Sequence, residues 1–444
     1  MSDPIKPTFH PSDRALHELC STFPNDVERE ISRDHLIDTY ESVFSQSVDL
    51  LVLQGEPGIG KTNLLSQFAR RHPKHIVCSF VPPMGRLNYD HQSLRRDYCA
   101  QLYAILHPGK RFDPHYGRDG ILENLIQKLS RRRGKATYYF LLDGLTDIKD
   151  PIIMSEVARL LPIGHGFPVM ISADPRKLPS DLIARPATQT TLAVRFSLSE
   201  VHHYFGDLEL AHADVRDLYQ SCGKGIPAHL ASVRRSLLGG ADISALRHQD
   251  ILNLYEQEWR YSISDALSER IVAIVAHSRH RLTTQSITEV LQTDYPTLSD
   301  RLRTLRFLQV DPETSYISFV SGAFAEFAAN KLSDTKKRDI GLLVRHASAR
   351  RTEDQLETLD TVPAYLYESG RLADAISFLT PDYFSIVLKR DASFAPLRQQ
   401  FDIGMDAALT LRQDGDLFRL GLEGSALTRV IRAPARKLAE LRIR

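Results

Sequence analysis

Gly55-Glu56-Pro57-Gly58-Ile59-Gly60-Lys61-Thr62 constrains this chain more than any other stretch. It satisfies the pattern G-x-x-x-x-G-K-[ST], and its flanks supply the context that pattern needs. Before it runs Val48-Asp49-Leu50-Leu51-Val52-Leu53, short and apolar. After it, residues 62–71 place Leu64, Leu65, Phe68 and Ala69 on one helical face. A strand, a glycine-rich turn and a helix in that order point backbone N–H groups and the positive end of a helix at one anion. The expected anion is the phosphate chain of a purine nucleoside triphosphate. Lys61 is expected to reach its β- and γ-phosphates and Thr62 to ligate Mg²⁺. Glu56, Pro57, Gly58, Ile59, Gly60 and Asn63 are expected to line the cradle.

The surrounding pattern alternates. Residues 31–44, 92–106 and 120–133 read as helices. Residues 75–81, 137–142 and 167–172 read as strands, the last two continuously apolar as in a sheet covered on both faces. That alternation predicts an α/β domain with a doubly wound parallel sheet over residues 31–197. The run Tyr138-Tyr139-Phe140-Leu141-Leu142 ends on Asp143. A carboxylate at the end of a buried strand, downstream of a P-loop, can hold the Mg²⁺ shell. Asp147 is placed either to polarise the attacking water or as a plain helix N-cap.

Beyond residue 197 the strand signal mostly disappears. Residues 198–262 read as a small helical domain. Residues 263–330 read as helices that close on a short pair of strands around Asp311-Pro312, and residues 331–444 as a helical tail. The boundary near 330 rests on the charged stretch 331–338 alone. Gly370 and Gly415 each interrupt two helical patterns at a spacing that suits helical hairpins. Residues 1–30, with Pro4, Pro7, Pro11 and Pro24, read as an arm too short for a domain.

A chain of 444 residues exceeds one ordinary core, so several domains are expected. The net charge of +1 gives no general drive toward nucleic acid or membranes. Arg301-Leu302-Arg303-Thr304-Leu305-Arg306 could contact phosphates in a DNA groove. The neutral balance favours a solvated face or an interdomain contact instead, so DNA is not expected as a partner. Arg131-Arg132-Arg133 suits a helix C-terminus, and the clusters at 345–351 and 429–444 suit solvated helix faces. Cys20, Cys78, Cys99 and Cys222 form no C-x-x-C pair, which argues against a zinc site or a disulfide framework. The start lacks the apolar core of a signal peptide, and no apolar run approaches the ~18 residues of a membrane helix. A cytoplasmic protein without membrane attachment is expected.

Together these features resemble the STAND class of P-loop NTPases, which contains the NACHT and NB-ARC proteins, over roughly residues 31–330. Ile31-Ser32-Arg33-Asp34 resembles the Gly-Arg-Glu entry motif with Ser32 in place of glycine, which implies that Arg33 binds the nucleotide. Asp143-Gly144-Leu145-Thr146-Asp147 resembles D-G-L-D-E. Gly225-Ile226-Pro227 resembles the G-x-P motif, which implies that Pro227 lies against the adenine, although Gly and Pro also simply end helices. Phe319 to Phe327 resembles the end of the family's winged-helix domain. There are two departures: Ser321 stands at the usual histidine, and Asp174 stands at the sensor arginine, with Arg176 as a candidate substitute.

The resemblance implies a sheet domain followed by helical, winged-helix and TPR-like helical-repeat domains. It implies an ATP/ADP switch with Mg²⁺, a weak ATPase using Asp143 and Asp147, closed with ADP and a homo-oligomer with ATP. No second catalytic constellation is evident, so output is expected through a separate effector or trigger protein, in defence (antiviral included) or regulation. The alternatives are an AAA-like DNA-associated loader or transposition ATPase, or an ATP-dependent transcription regulator using its winged helix.

Overall fold

The computed structural model describes residues 16, 20, 22–24, 29–81, 91–110, 120–132, 134, 136–148, 151–183, 188–221, 223–280, 282–311, 314–349, 361–390 and 395–426. They fall into two compact units, one within Met1–Gly85, Tyr89–Ser264 and Val320–Phe324, the other within Asp265–Phe319 and Ala325–Arg444.

The first unit is built on β1 (Leu50–Gln54), β2 (Ile76–Phe80), β3 (Tyr139–Asp143), β4 (Val169–Ser172) and β5 (Thr188–Leu192). All pair in parallel, in the order β2-β3-β4-β1-β5. The helices that cover the sheet are α1 (Asp34–Ser45), α2 (Lys61–Arg71), α3 (His91–Leu106), α4 (Ile121–Arg132), α5 (Pro151–Ala158) and the single turn α6 (Ser180–Ile183). The period of two explains the two-sided burial. Leu50, Val52, Phe140, Leu142, Val169 and Ile171 enter one core with α3, α4 and α5. Leu51, Leu53, Ile76, Cys78, Leu141 and Met170 enter the other with α1 and α2.

Two sequence expectations change here. β5 was not expected at all. Thr188-Gln189-Thr190-Thr191-Leu192 is a largely solvent-facing edge strand, so it lacks the apolar signal of its neighbours. The arm is not wholly free either: Leu16, Cys20 and Phe23 are buried in the α1/α2 core. The other sheet edge, β2, is closed by side chains. The Gln101 amide on α3 donates to the Cys78 carbonyl at 2.7 Å and accepts its N–H at 2.8 Å. Thr22 accepts the Phe80 N–H at 3.0 Å. Arg132 donates to the Leu106 carbonyl at 2.5 Å, a helix-end role; Arg133 lies outside the described residues.

The same unit continues into α7 (Leu198–Tyr204), α8 (His212–Ser221), α9 (Pro227–Leu238), α10 (Ile243–Leu246) and α11 (Ile251–Ser262). Val201, Phe205, Leu218, Leu230, Val233 and Leu254 form their core. A buried ion pair of Arg235 with Glu258, with the Ser232 hydroxyl donating at 2.8 Å, joins α9 to α11.

The second unit opens with α12 (Ala266–His277), β6 (Leu282–Thr283), α13 (Thr284–Leu291), α14 (Tyr295–Thr304), β7 (Leu308–Val310) and β8 (Tyr316–Phe319). The strands form an antiparallel sheet in the order β6-β8-β7. β7 and β8 flank the expected position; Pro312 lies outside the described residues, and the two-residue β6 gave no periodic signal. Then follow α15 (Gly322–Lys331), α16 (Lys336–Ala349), α17 (Val362–Glu368), α18 (Leu372–Phe378), α19 (Pro381–Arg390), α20 (Ala395–Thr410) and helical residues 414–426. Arg345 is exposed on α16, while 350–351 and 429–444 lie outside the described residues. Among the described residues, no helix is long and apolar enough to cross a membrane.

His280 gives this unit a pH dependence. Its ring is buried, with Nδ1 3.1 Å from the Tyr365 hydroxyl. Burial, aided by the charge of His346, pushes its pKa down from 6.5 to about 4. The unfolded chain therefore takes up a proton at a pH where the folded unit does not. Stability is full above pH 6.5 and falls as pH drops toward 4, by roughly 3 kcal/mol in total. Urea titrations read by pulse-labelled amide exchange in α12 and α16 should show that slope. His280→Gln should flatten it, and an unchanged slope in the variant would assign it elsewhere.

Candidate functional site

The loop after β1 turns because Gly58 and Gly60 take φ of 81° and 89°, values that side chains with a Cβ resist. Ile59 between them is buried and pins the turn. Lys61 opens α2, and its ammonium donates to the carbonyls of Gly55 at 2.8 Å and Glu56 at 3.3 Å. Thr62 donates its hydroxyl to Asp143 Oδ2 at 2.6 Å. Ser172, at the end of β4, donates to Asp143 Oδ1 and accepts the Gly144 N–H at 2.7 Å. Burial pushes the Asp143 carboxyl above its ordinary range. The Ser172 and Thr62 hydrogen bonds and the charge of Lys61 oppose that shift, while the charge of Asp147 adds to it.

Asp147 closes a 3₁₀ turn, Leu145–Asp147, so it is not a helix N-cap. The residue as a whole is exposed, but its carboxyl lies over Gly144, and desolvation there raises its pKa against the pull of Lys61 and Lys177. Arg176, the candidate substitute for the sensor arginine, forks onto Asp174 with both contacts at 3.0 Å. The cation whose field acts on Asp147 from that turn is Lys177, a residue with no motif to mark it. Ser321 accepts the Phe324 N–H at 3.3 Å.

The remaining expected residues fall into two groups. Pro227 and the loop meet directly. The Ala228 N–H donates to the Gly58 carbonyl at 3.0 Å, and Pro227 Cγ lies 3.6 Å from where a Gly60 Cβ would stand. Gly225 (φ 86°) is required by close approach, since a Cβ there would meet the Phe196 carbonyl oxygen at 2.1 Å. This motif is thus a docking turn that begins α9, not a helix stop.

Arg33 and Asn63 belong to the second group, bonded to protein. Arg33 is buried, donates to the Val194 carbonyl at 2.8 Å, pairs with Glu200 at 3.2 Å and covers the Phe196 ring at 5.1 Å. Asn63 links Glu30 to Gln67, each at 2.8 Å. Glu56 pairs at 2.6 Å with Arg195, which also donates to the Gly223 carbonyl at 3.1 Å. Pro57 is exposed. Arg195 and Ser172 carry the geometry without a sequence signal, because only the strand order brings them to the loop.

No protein-family model and no curated protein matches the chain. Solved structures do. A signal transduction ATPase with numerous domains (STAND) protein with a tetratricopeptide repeat sensor, from Pyrococcus horikoshii, aligns with a TM-score of 0.52 at 12% identity. The alignment covers 92% of this chain and 66% of that protein. This chain has a P-loop NTPase fold, shared with that protein. A Walker-type ATPase of Pyrococcus abyssi aligns over 68% of this chain and 99% of its own, at 11% identity and a TM-score of 0.37. Cdc6p from Pyrobaculum aerophilum aligns over 70% and 98%, at 14% identity and a TM-score of 0.33.

The raised pKa of Asp143 has a measurable consequence in this fold. The folded state holds its proton more tightly than the unfolded chain, so the ionised carboxylate costs stability above the folded pKa. Asp143→Asn should therefore raise the thermal midpoint of the protein at pH 7. A lowered midpoint would mean that the two hydroxyls fully compensate the charge.

Proposed function

We propose that this chain is an ATP/ADP-operated switch with slow Mg²⁺-dependent hydrolysis, in which the nucleotide controls how the helical bundle α7–α11 sits on the sheet. The observation that carries this reading is the contact of α9 with the P-loop itself, through Ala228 and Gly58. A ligand that fills the loop's N–H groups changes the partner that α9 docks on. The motif resemblance and the fold support it too.

The donor set suits Mg²⁺. Thr62 Oγ1 and the Asp143 carboxylate are adjacent hard oxygen ligands, and a cation would relieve a carboxylate that burial disfavours. Bound Mg²⁺ would neutralise phosphate charge. Thr62 and Asp143 would hold it, Lys61 would leave the Gly55 carbonyl for the phosphates, and Asp147 would orient water. Pro227 would face the base. Arg33 would act from behind, fixing the chain at Val194. With Asp174 at the sensor position and Arg176 engaged by it, turnover would fall well below the ~10 s⁻¹ median for enzymes.

In this reading residues 263–330 form a winged-helix domain and 331–444 a TPR-like tail that senses a trigger. The ATP form assembles with itself and acts on a separate effector. A shift from 1:99 to 99:1 between the two forms needs about 10⁴-fold preference of the nucleotide for one of them.

The test is nucleotide-dependent stabilisation. A ligand at 100 times its Kd stabilises a fold by about 2.7 kcal/mol. Wild type should melt higher with Mg-ATP and retain ADP on purification; Lys61→Ala should do neither. Equal shifts in both proteins would remove the P-loop from the reading.

A DNA role draws little support from α14. Arg301 pairs with Asp265 at 2.7 Å and Arg303 with Asp300 at 3.3 Å, so two of the cluster's arginines face carboxylates. Duplex binding at physiological salt should therefore be absent. A nanomolar gel shift that Arg301→Ala, Arg303→Ala and Arg306→Ala together remove would instead favour a DNA-associated loader.

A further inference from the structure

The two edges of the parallel sheet are finished differently. At β2 the Gln101 amide takes up the Cys78 backbone groups, and Thr22 takes the Phe80 N–H. β5 is the last strand on its side, and among the described residues no strand pairs with its outer side. Register decides which groups are left over. The Ala193 N–H donates to the Gln54 carbonyl at 2.8 Å, so Ala193 faces β1. Backbone groups alternate along a strand. Gln189 and Thr191 therefore face β1 as well, and the N–H and C=O groups of Thr188, Thr190 and Leu192 point away from the sheet. That open stretch has fixed ends. The Thr188 hydroxyl donates to the Leu182 carbonyl of α6 at 3.1 Å, and Arg33 occupies the Val194 carbonyl. Thr190 lies midway between them. Natural sheet edges usually carry charges, prolines or bulges that stop a second strand from adding. Residues 188–194, Thr-Gln-Thr-Thr-Leu-Ala-Val, contain no charge and no proline, and β5 pairs with β1 without a bulge. Thr190 is exposed, as are Leu192 at 62% and Val194 at 49%. By the period of two these three side chains share one face.

We propose that β5 is a self-association edge, on which a second copy of this chain adds its own β5 antiparallel, about a two-fold axis at Thr190. A second copy fits because the strand is complementary to itself about that residue. Thr190 meets its counterpart, Thr188 meets Leu192, and Gln189 meets Thr191. No like charges are opposed, and each outward N–H and C=O from Thr188 to Leu192 gains a partner in the other copy. Threonine opposite threonine adds side-chain hydrogen bonding at the axis, and the exposed Leu192 gains the cover of a neighbouring strand. An unrelated strand would find the same backbone groups without this symmetric match of side chains. The product is one continuous sheet shared by two copies. Since β1 lies next to β5 and the paired strands run in opposite directions, the two P-loops come to opposite ends of that sheet, and neither takes part in the contact. No nucleotide group is involved, so this inference does not rest on the proposed switch.

The test follows the full chain, without nucleotide, by sedimentation velocity across micromolar concentrations and by amide exchange. A concentration-dependent dimer is expected. The Thr190 and Leu192 amides should exchange freely in the monomer and slow as the dimer forms, while Thr191, bonded to β1, stays slow in both. Thr190→Pro removes only an outward N–H, a change that an edge strand tolerates, and should give a folded monomer. Thr190→Lys and Thr190→Glu keep that N–H and set like charges against each other across the axis. Each should be monomeric alone, and the two mixed should form a dimer. That rescue reads out strand pairing even if the proline variant fails to fold. A wild-type chain that stays monomeric would overturn the proposal and leave the edge to an extended segment of another protein. So would a dimer that survives all three substitutions, a Lys/Glu mixture that stays monomeric, or a dimer whose Thr190 and Leu192 amides exchange as in the monomer.

Discussion

The hydrogen bond from the Ala228 N–H to the Gly58 carbonyl ties the two most specific motifs of this chain into one object. Its existence depends on three residue choices at once. Gly58 must lack a Cβ, because one there would stand 2.6 Å from that of Ala228. Gly58 must also hold φ of 81°, which turns its carbonyl outward from the loop. Pro227 occupies the first helical position of α9 and has no N–H, so the first donor the helix can present is that of Ala228. A helix N-terminus that would otherwise leave donors unmet is satisfied by the loop that is itself built to offer donors to an anion.

Charge pairs set the chain between sheet and bundle around that contact. Residues 193–200 leave β5 and enter α7, held from both sides. Arg33 grips the Val194 carbonyl and Glu200, while Arg195 reaches back to Glu56 in the loop and across to Gly223. Glu200 has a second task, closing the capping box of α7 with Ser197. Arg33 is buried, and burial lowers its pKa against the pull of Glu200, so removing Glu200 would leave a costly unpaired cation. The Arg195–Glu56 pair is far more exposed and correspondingly weak. The linking segment thus has one firm attachment to the sheet and one soft attachment to the loop.

What could be read from sequence follows the same physics. β1, β3 and β4 are buried on both faces and were legible as apolar runs; α2 and α4 were legible from their apolar faces. β5 was not, since an edge strand of threonines and glutamine carries no such signal. That Lys61, Thr62 and Asp143 would gather at one place was legible, because the motif and the strand-end acid each sit at a fixed spacing. Ser172 and Lys177 were not: a hydroxyl beside Asp143 requires knowing that β4 lies next to β3, and either of two adjacent cations could follow Pro175. Gly225 was visible as a glycine but not as a contact, because the Phe196 carbonyl that demands it is far away in sequence.

Strand order also decides where each part of the molecule can act on the site. β1, which ends in the P-loop, lies one strand in from the β5 edge, and the bundle leaves the sheet from that edge. Asp143 ends β3, two strands away from β1 and next to β2 at the other edge. The Thr62–Asp143 bond therefore spans the gap between the two, over the end of β4, where Ser172 completes it. The bundle touches the loop from the β5 side, through Arg195 and Ala228. Thr22 and Phe23 meet the sheet from the β2 side, where Phe80 stands in register with Asp143 and the Val81 N–H donates to the Asp143 carbonyl at 3.0 Å. Sealing the β2 edge with Thr22 and Gln101 holds the acid's own strand pair together, independently of how the bundle sits.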